Sequence, residues 1–270
     1  MRLVILTGDG LEHRFVANAL AQAFPDELQA IIVARSGRGS PLRQVRSYLR
    51  RCTVPQLLSR LWARGYALLS RRQQRRLATY ARYLSPNGRC DWRRSDLVRC
   101  VPSHNGEECR RLLRELAPDV IAVYGTAVIK PSVIRLARNA ILNTHTGLSP
   151  RYRGADTVFW ALHNEEPEWV GVTVHWLDEG LDSGPIVRTG RPVIAGDDDE
   201  DSLFCKCVIL GAQLYVEAIR EVAAGGRRYP PQDLRQGREY RFAERTVAAE
   251  RRVRRLLRQG LLHRVREGHR

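Results

Sequence analysis

The chain lacks several features that would quickly assign it to a class. It has no apolar run near the roughly 18 residues that a membrane span requires, and its start, MRLVILTGDG, meets glycine and aspartate too early for a signal peptide. A cytoplasmic protein with no membrane partner is expected. Cysteine pairing is missing too. Cys52, Cys90, Cys100, Cys109, Cys205 and Cys207 form no C-x-x-C and have no paired histidines nearby, which argues against a zinc site and a disulfide framework, so no metal is expected. Cys205 and Cys207 are open to a redox or metal reading. A helix would send their side chains to different faces, as packing thiols. Lysine is nearly absent, with only Lys130 and Lys206 among 45 basic residues. The net charge of +16 is therefore an arginine excess that fits GC-rich coding as well as a phosphate-binding surface. Nucleic acid is not expected as a partner. The charge favours smaller anionic partners such as folates, phosphorylated molecules or acidic carrier proteins.

What is present is an α/β pattern in 270 residues, enough for one large domain with an appendage. RLVILTG reads as a strand, RFVANALAQAF as a helix and LQAIIVAR as a second strand. A break at Ser36–Pro41 leads into a basic segment where Leu57, Leu58, Leu61, Trp62, Leu68 and Leu69 recur at helical spacing. It reads as a helical insertion near 38–96, helical through about Leu84. EECRRLLREL then predicts an amphipathic helix stopped by Pro118, and DVIAVYG a strand. A short helix near Pro131–Arg138, the strand AILNTH, a helix around TVFWALHNEE and the strand VGVTVHWLD follow. In open α/β sheets ligands sit beyond the carboxyl ends of the strands, so loops at Gly8, Gly125, Asn143 and Asp178 should line one crevice. The acidic run Asp197–Asp201 precedes SLFCKCVILGAQLYVEAI and reads as a helix N-terminus.

The stretch NTHTGLSPRYRGAD, Asn143–Asp156, is the most unusual. Residues two apart on an extended chain share a face, so Asn143 and His145 present an amide and an imidazole together at a strand exit. One reacting atom can then meet both. Taken singly, each has a structural reading: Asn143 caps the loop, His145 satisfies buried carbonyls, and Asp182 shapes the turn before Gly184.

PDVIAVYG, ILNTHTGLSPRYRGADTVFWAL and GVTVHWLDEGLDSGPIV together resemble the folate-dependent formyltransferases, the group containing glycinamide ribonucleotide, methionyl-tRNA and sugar N-formyltransferases. The resemblance implies a Rossmann-like formyltransferase fold, a mostly parallel sheet flanked by helices. It divides the chain into a catalytic domain over 1–225, with the insertion inside it, and a basic C-terminal extension over 226–270. It also implies that Asn143, His145 and Asp182 are catalytic and that 10-formyl-tetrahydrofolate is the formyl donor. Asn143 and protonated His145 would stabilise the tetrahedral oxyanion, while Asp182 would favour that protonated form and relay a proton through water. The pterin would be held by backbone near Val128, Ile129, Asp178 and Gly180, with Lys130 either a partner for a folate carboxylate or a solvated charge. Gly8, Asp9 and Gly10 are candidate acceptor contacts. So are Tyr152 and Arg153, and Arg153 either braces the loop or binds the acceptor. His175 reads as a structural strand residue and His163 as a helix-surface one.

The acceptor is expected to be a small or carrier-linked amine, an amino sugar or an amino-acid-derived intermediate of bacterial biosynthesis. Alternatives are a 10-formyl-tetrahydrofolate hydrolase using the same three residues, a methionyl-tRNA formyltransferase-like enzyme, and a non-catalytic folate-binding regulator. The end of the chain is too short for the barrel that methionyl-tRNA formyltransferases carry, which counts against initiator tRNA. Arg245–Arg270 holds nine Arg against two Glu. It reads either as a solvated helix or as one packed through Val253, Leu256 and Leu257. The oligomeric state is open, a homodimer included.

Overall fold

A computed structural model describes residues 1–34, 72–85, 90–225 and 229–263. The expected helix positions from Leu57 to Leu69 lie outside the described residues. Seven strands form one sheet in the order β3-β2-β1-β4-β5-β7-β8. They are β1 (Leu3–Thr7), β2 (Leu28–Ala34), β3 (Val98–Val101), β4 (Val120–Tyr124), β5 (Ala140–His145), β7 (Val172–Trp176) and β8 (Ile186–Gly190). The first five run parallel, and β7 and β8 are antiparallel to their neighbours. This is the expected α/β, mostly parallel sheet. β1 and β4 are buried along their whole length, because a parallel sheet covered on both faces selects continuous Val/Ile/Leu runs rather than alternation.

The described helices are α1 (Leu11–Ala23), α2 (Arg72–Leu84), α3 (Glu107–Leu116), α4 (Pro131–Ile134), α5 (Thr157–His163), α6 (Glu200–Ala223) and α7 (Val247–Arg258). One core joins α1, α2 and α6 to the sheet through Leu20, Tyr80 and Tyr215; another, with α3, gathers Val4, Ile32, Leu113 and Ile121. Each such large apolar side chain contributes about 1.5–3 kcal/mol by leaving water. α2 ends at Leu84, as the insertion's helical spacing predicts. The acidic run does cap α6: the Asp199 carboxylate accepts from the Ser202 N–H at 2.8 Å.

α6 also corrects the reading that no segment is apolar enough to span a membrane. By length and composition Glu200–Ala223 passes that test, and Lys206 and Glu217 interrupt the run that the eye looks for. More than half of its apolar window is buried inside the protein. It is the central core helix, and the Tyr215 hydroxyl donates to the Leu142 carbonyl at 2.6 Å and lies 3.0 Å from that of Val123. That phenol pins the carboxyl ends of β4 and β5 side by side. Cys205 and Cys207, both buried, enter different core clusters, as expected of packing thiols.

The segment beyond 226 does not stand apart. β9 (Arg238–Tyr240) pairs in parallel with β6 (Tyr152–Gly154), and Val253 and Leu256 of α7 are buried in a cluster with Phe159 and Trp160 of α5. For the described part of the arginine-rich end, through His263, the packed alternative is the one observed. His163 sits on α5 with its ring edge-on to Trp160, centroids 5.1 Å apart, half-buried rather than on an open surface.

Candidate active site

β5 delivers the unusual stretch to the carboxyl edge of the sheet. Its register with β7 sets Asn143 opposite His175 and His145 opposite Thr173, so these side chains share one face. Asp182 comes from the turn after β7 with φ 49°, a left-handed conformation that aspartate adopts more readily than most residues. Its Oδ2 accepts from the Gly154 N–H at 2.9 Å and lies 3.5 Å from His145 Nδ1. Its Oδ1 lies 3.4 Å from both Asn143 Nδ2 and His175 Nε2. The three residues expected to be catalytic therefore converge.

His175 was expected to be a plain strand residue, but its ring touches two of them. Nδ1 donates to the Trp176 carbonyl at 2.7 Å, and Nε2 faces both the Asn143 amide nitrogen at 3.2 Å and Asp182 Oδ1 at 3.4 Å. The amide nitrogen of Asn143 thus faces Asp182 and His175. At 3.2 and 3.4 Å these are long contacts that an incoming oxygen can take over.

His145 is the most tensioned group. Nε2 faces the Tyr152 carbonyl at 3.2 Å and Nδ1 faces Asp182, two acceptors that only the imidazolium satisfies together. Burial opposes that charge more strongly than Asp182 supports it, and the His145 pKa falls below its ordinary value. Asp182 does raise the His145 pKa, in the expected direction, but burial outweighs it. Burial pushes the Asp182 carboxyl up, but His145, His175 and the Gly154 N–H outweigh it and hold the group well below the usual carboxylate range. Glycine at 147 is required by the same crowding, since a Cβ there would stand 2.5 Å from His145 Nε2 and 2.6 Å from the Tyr152 carbonyl.

These residues open into a cavity of about 600 Å³, within the range of small-molecule sites. Of the residues expected at the cofactor, Val128, Ile129, Asp178 and Gly180 line it. Asp178 shapes its loop by accepting from the Gly180 N–H (3.0 Å) and the Ser183 hydroxyl (2.8 Å). Lys130 does not line the cavity; it caps α4, and its N–H donates to Asn105 Oδ1. Gly8, Asp9 and Gly10 do not line it either. The His13 ring lies over that turn and takes the Gly10 N–H at 3.2 Å, while Asp9 pairs with Arg14 at 2.8 Å. Tyr152 is buried with its hydroxyl on Glu166, and Arg153 braces the loop through the carbonyls of Pro150 (3.3 Å) and Leu181 (3.5 Å). Among the described residues no group of three or more His, Cys, Asp or Glu is arranged to hold a metal.

Sequence reasoning missed much of the rest of the wall: Glu12 and His13 of α1, Arg76 and Tyr80 of α2, Phe204 of α6, and the lip Tyr240–Phe242. The exception with a legible signal was His13, an imidazole one turn into the helix that follows a Gly-Asp-Gly turn.

Residues 73–219 match the family model described as formyl transferase. Methionyl-tRNA formyltransferases of Kosmotoga olearia and Chlorobium chlorochromatii are 39% and 37% identical to this chain over 133 residues, covering 48% and 49% of it and 42% of each relative. The chain's match thus spans less than half the length of these relatives. The fold resembles a phosphoribosylglycinamide formyltransferase from Anaplasma phagocytophilum (TM-score 0.55, 17% identity, 83% of this chain and 87% of that one). It also resembles a sugar N-formyltransferase from a Shewanella species (TM-score 0.56, 13% identity, 94% and 87%). At these identities the likeness concerns the fold alone. The relatives named for methionyl-tRNA give no support to the expectation that nucleic acid is absent among the partners.

Proposed function

The chain belongs to the formyl transferase family, and from that premise we propose that it moves a formyl group from 10-formyl-tetrahydrofolate to an amine. The observation that carries the reading is the convergence of Asn143, His145 and Asp182 within 3.5 Å contacts at the wall of one cavity. An uncharged amine attacks the formyl carbon, a C–N bond forms, and the carbonyl oxygen becomes negative. The folate C–N bond then breaks as the amine's proton reaches the departing nitrogen. Asn143 donates its amide hydrogen to the oxyanion. His145 in its protonated form donates a second hydrogen to it, and an oxyanion donor is worth about 3 kcal/mol of barrier. Asp182 stays ionised and balances the imidazolium.

The loops Gly125–Ile129 and Leu177–Asp182 suit a planar ring held by backbone groups, since they line the cavity next to the three residues. Val128, Ile129, Asp178 and Gly180 are the contacts we assign to the donor. Domain limits of 1–225 and 226–270 are kept as the division of the chain, with the second part contributing the Tyr240–Phe242 lip.

The acceptor is a small or carrier-linked amine. A methionyl-tRNA acceptor is the second reading, and the identity to relatives of that name favours it. Incubation with 10-formyl-tetrahydrofolate, alone, with an amine library and with methionyl-tRNA, tests both. Turnover in the absence of any acceptor would instead make the protein a hydrolase, and binding of the donor without turnover would make it a regulator.

A further inference from the structure

The turn that carries Asp182 is gripped by a side chain from beyond the region that matches the family. Gln232 lies past residue 219, where that match ends. Its Nε2 donates to the Gly184 carbonyl at 2.6 Å and to the Asp182 carbonyl at 3.1 Å. Two acceptors call for the NH2 end of the amide and fix its orientation, because a flipped amide would set oxygen against oxygen. The Oε1 left behind is buried and has no hydrogen-bond partner among the described residues. A buried acceptor without a partner is costly, and local costs of this kind concentrate at functional sites.

The turn is one that needs holding. Asp182 has φ 49°, a sparsely populated conformation that persists only where the surroundings impose it. Gly184 follows so close to β7 that a Cβ there would stand 1.9 Å from the Trp176 carbonyl. The stretch around Gln232 is itself anchored on both sides. Before it, the Tyr229 hydroxyl donates to Glu221 of α6 at 2.8 Å, its ring meets Trp176 with centroids 6.4 Å apart, and Pro230 and Pro231 stiffen the link. After it, a Cβ at Gly237 would stand 1.8 Å from the Pro150 carbonyl, the Arg238 N–H donates to the Arg151 carbonyl at 3.0 Å, and β9 pairs with β6. β6 ends at Gly154, whose N–H holds Asp182 Oδ2. The backbone and the carboxylate of Asp182 are thus both tied to the segment 229–240.

We infer that Gln232 is a positioning residue, whose amide sets the Asp182 turn so that the carboxylate meets His145 and Asn143 in reacting geometry. The inference rests on the formyl-transfer reading for what Asp182 does, and it makes the part of the chain beyond 226 a component of the active site rather than an appendage. Asp178 closes the neighbouring donor loop through the Gly180 N–H and the Ser183 hydroxyl, so that loop has a support of its own.

Two substitutions test the role. Gln232→Met keeps the length without the donors, and Gln232→Glu keeps the shape but turns a carboxylate toward the two carbonyls. Each should lower kcat by about tenfold or more, as a small misplacement of a catalytic group does, while calorimetry finds tetrahydrofolate bound within about threefold of the wild-type affinity. Circular dichroism establishes that each variant is folded, and the second guards against failure of the first to fold. The His145 titration, followed by nuclear magnetic resonance, is a readout that a merely structural role would not move and that needs no turnover. Asp182→Asn shifts the His145 pKa, and that shift should shrink to about half or less in the Gln232→Met background, where the two side chains no longer meet in a fixed geometry. A shift of the same size in both backgrounds, or loss of tetrahydrofolate affinity in step with kcat, would overturn the assignment. Formyl transfer at the wild-type rate in both variants refutes the positioning role alone. A protein that transfers a formyl group to no amine, yet shows the smaller His145 shift, refutes the formyl-transfer reading alone and leaves Gln232 as the residue that places Asp182.

Discussion

The N–H of Gly154 donates to the carboxylate of Asp182 at 2.9 Å, tying the turn that carries the candidate catalytic acid to the short strand that pairs with the C-terminal segment. That bond separates two roles for Asp182. An asparagine side chain at 182 can still accept from Gly154, so Asp182→Asn should melt within a few degrees of the wild type. It no longer balances a charged His145. Formyl transfer should fall by a hundredfold or more, since the imidazolium of the transition state loses its counter-charge. Asp182 also raises the His145 pKa, so any limb of the pH–rate profile due to His145 should move to lower pH in the variant. Near-normal turnover with an unmoved profile would assign the role to another carboxylate, Asp178 first.

Gly154 has φ 87°, and a Cβ there would sit 2.3 Å from the Tyr240 carbonyl. Gly154→Ala therefore meets both left-handed strain and a backbone clash, which together cost about 1–3 kcal/mol. Because the clash pushes β9 off β6, the Tyr240–Phe242 lip should shift with it. We expect a lower melting temperature and a raised KM for the acceptor. An unaltered KM in a destabilised but folded variant would separate the lip from acceptor binding.

Arg245 is 10% exposed at its side chain, pairs with Glu200, Asp156 and Glu250, and lies over the Phe159 ring at 3.9 Å. Arg245→Met keeps the bulk and the ring contact but takes a cation from three half-buried carboxylates, of which Glu200 and Glu250 keep Arg72, a change that costs about 1–3 kcal/mol. Denaturant unfolding should register that loss. A variant as stable as the wild type would mean that Arg72 takes over Glu200 and Glu250.

How much of this was legible in the chain depends on burial. β1, β2, β4, β5 and the amphipathic α3 announce themselves through apolar runs or periodicity, and the spacing of Asn143 and His145 points to one shared face. Edge and ribbon strands do not. β3 is Val-Arg-Cys-Val with two exposed central residues, and β9 is Arg-Glu-Tyr, so neither carries a hydrophobic pattern. The helical side of the cavity was equally silent, because Glu12, Tyr80 and Asp201 line it together only through the packing of three helices distant in sequence. His175 was visible as a strand residue; its contact with Asp182 depends on the register of β7 against β5 and the turn after it.

His145 adds a pH dependence to stability. Its folded pKa lies below the ordinary histidine value of 6.5, so the unfolded chain binds the proton more readily. Stability is then complete above about pH 7 and is lost as pH falls through that ordinary value. His104, buried against the Ile32 carbonyl at 3.1 Å, is shifted the same way and adds to the loss. His145→Gln removes one of the two contributions. Its melting temperature should decline less than that of the wild type between pH 7 and pH 5, and an identical decline would assign the whole slope elsewhere.

Asp201 bears on stability with the opposite sign. Its folded pKa of about 6 stands above the ordinary 3.8, with burial the largest cause and Glu200 next. As pH rises between these values the unfolded chain releases the proton first, so the native state loses stability across the window and stays less stable above it. Asp201→Asn keeps the shape and removes the charge. It should melt a few degrees higher than the wild type at pH 7.5, and the gap should close near pH 4, where both side chains are neutral. Loss of the 3.6 Å contact to Arg76 works against the gain, but Arg76 keeps its bonds to Tyr80. A lower melting temperature for Asp201→Asn at neutral pH would mean that Arg76 already neutralises the carboxylate.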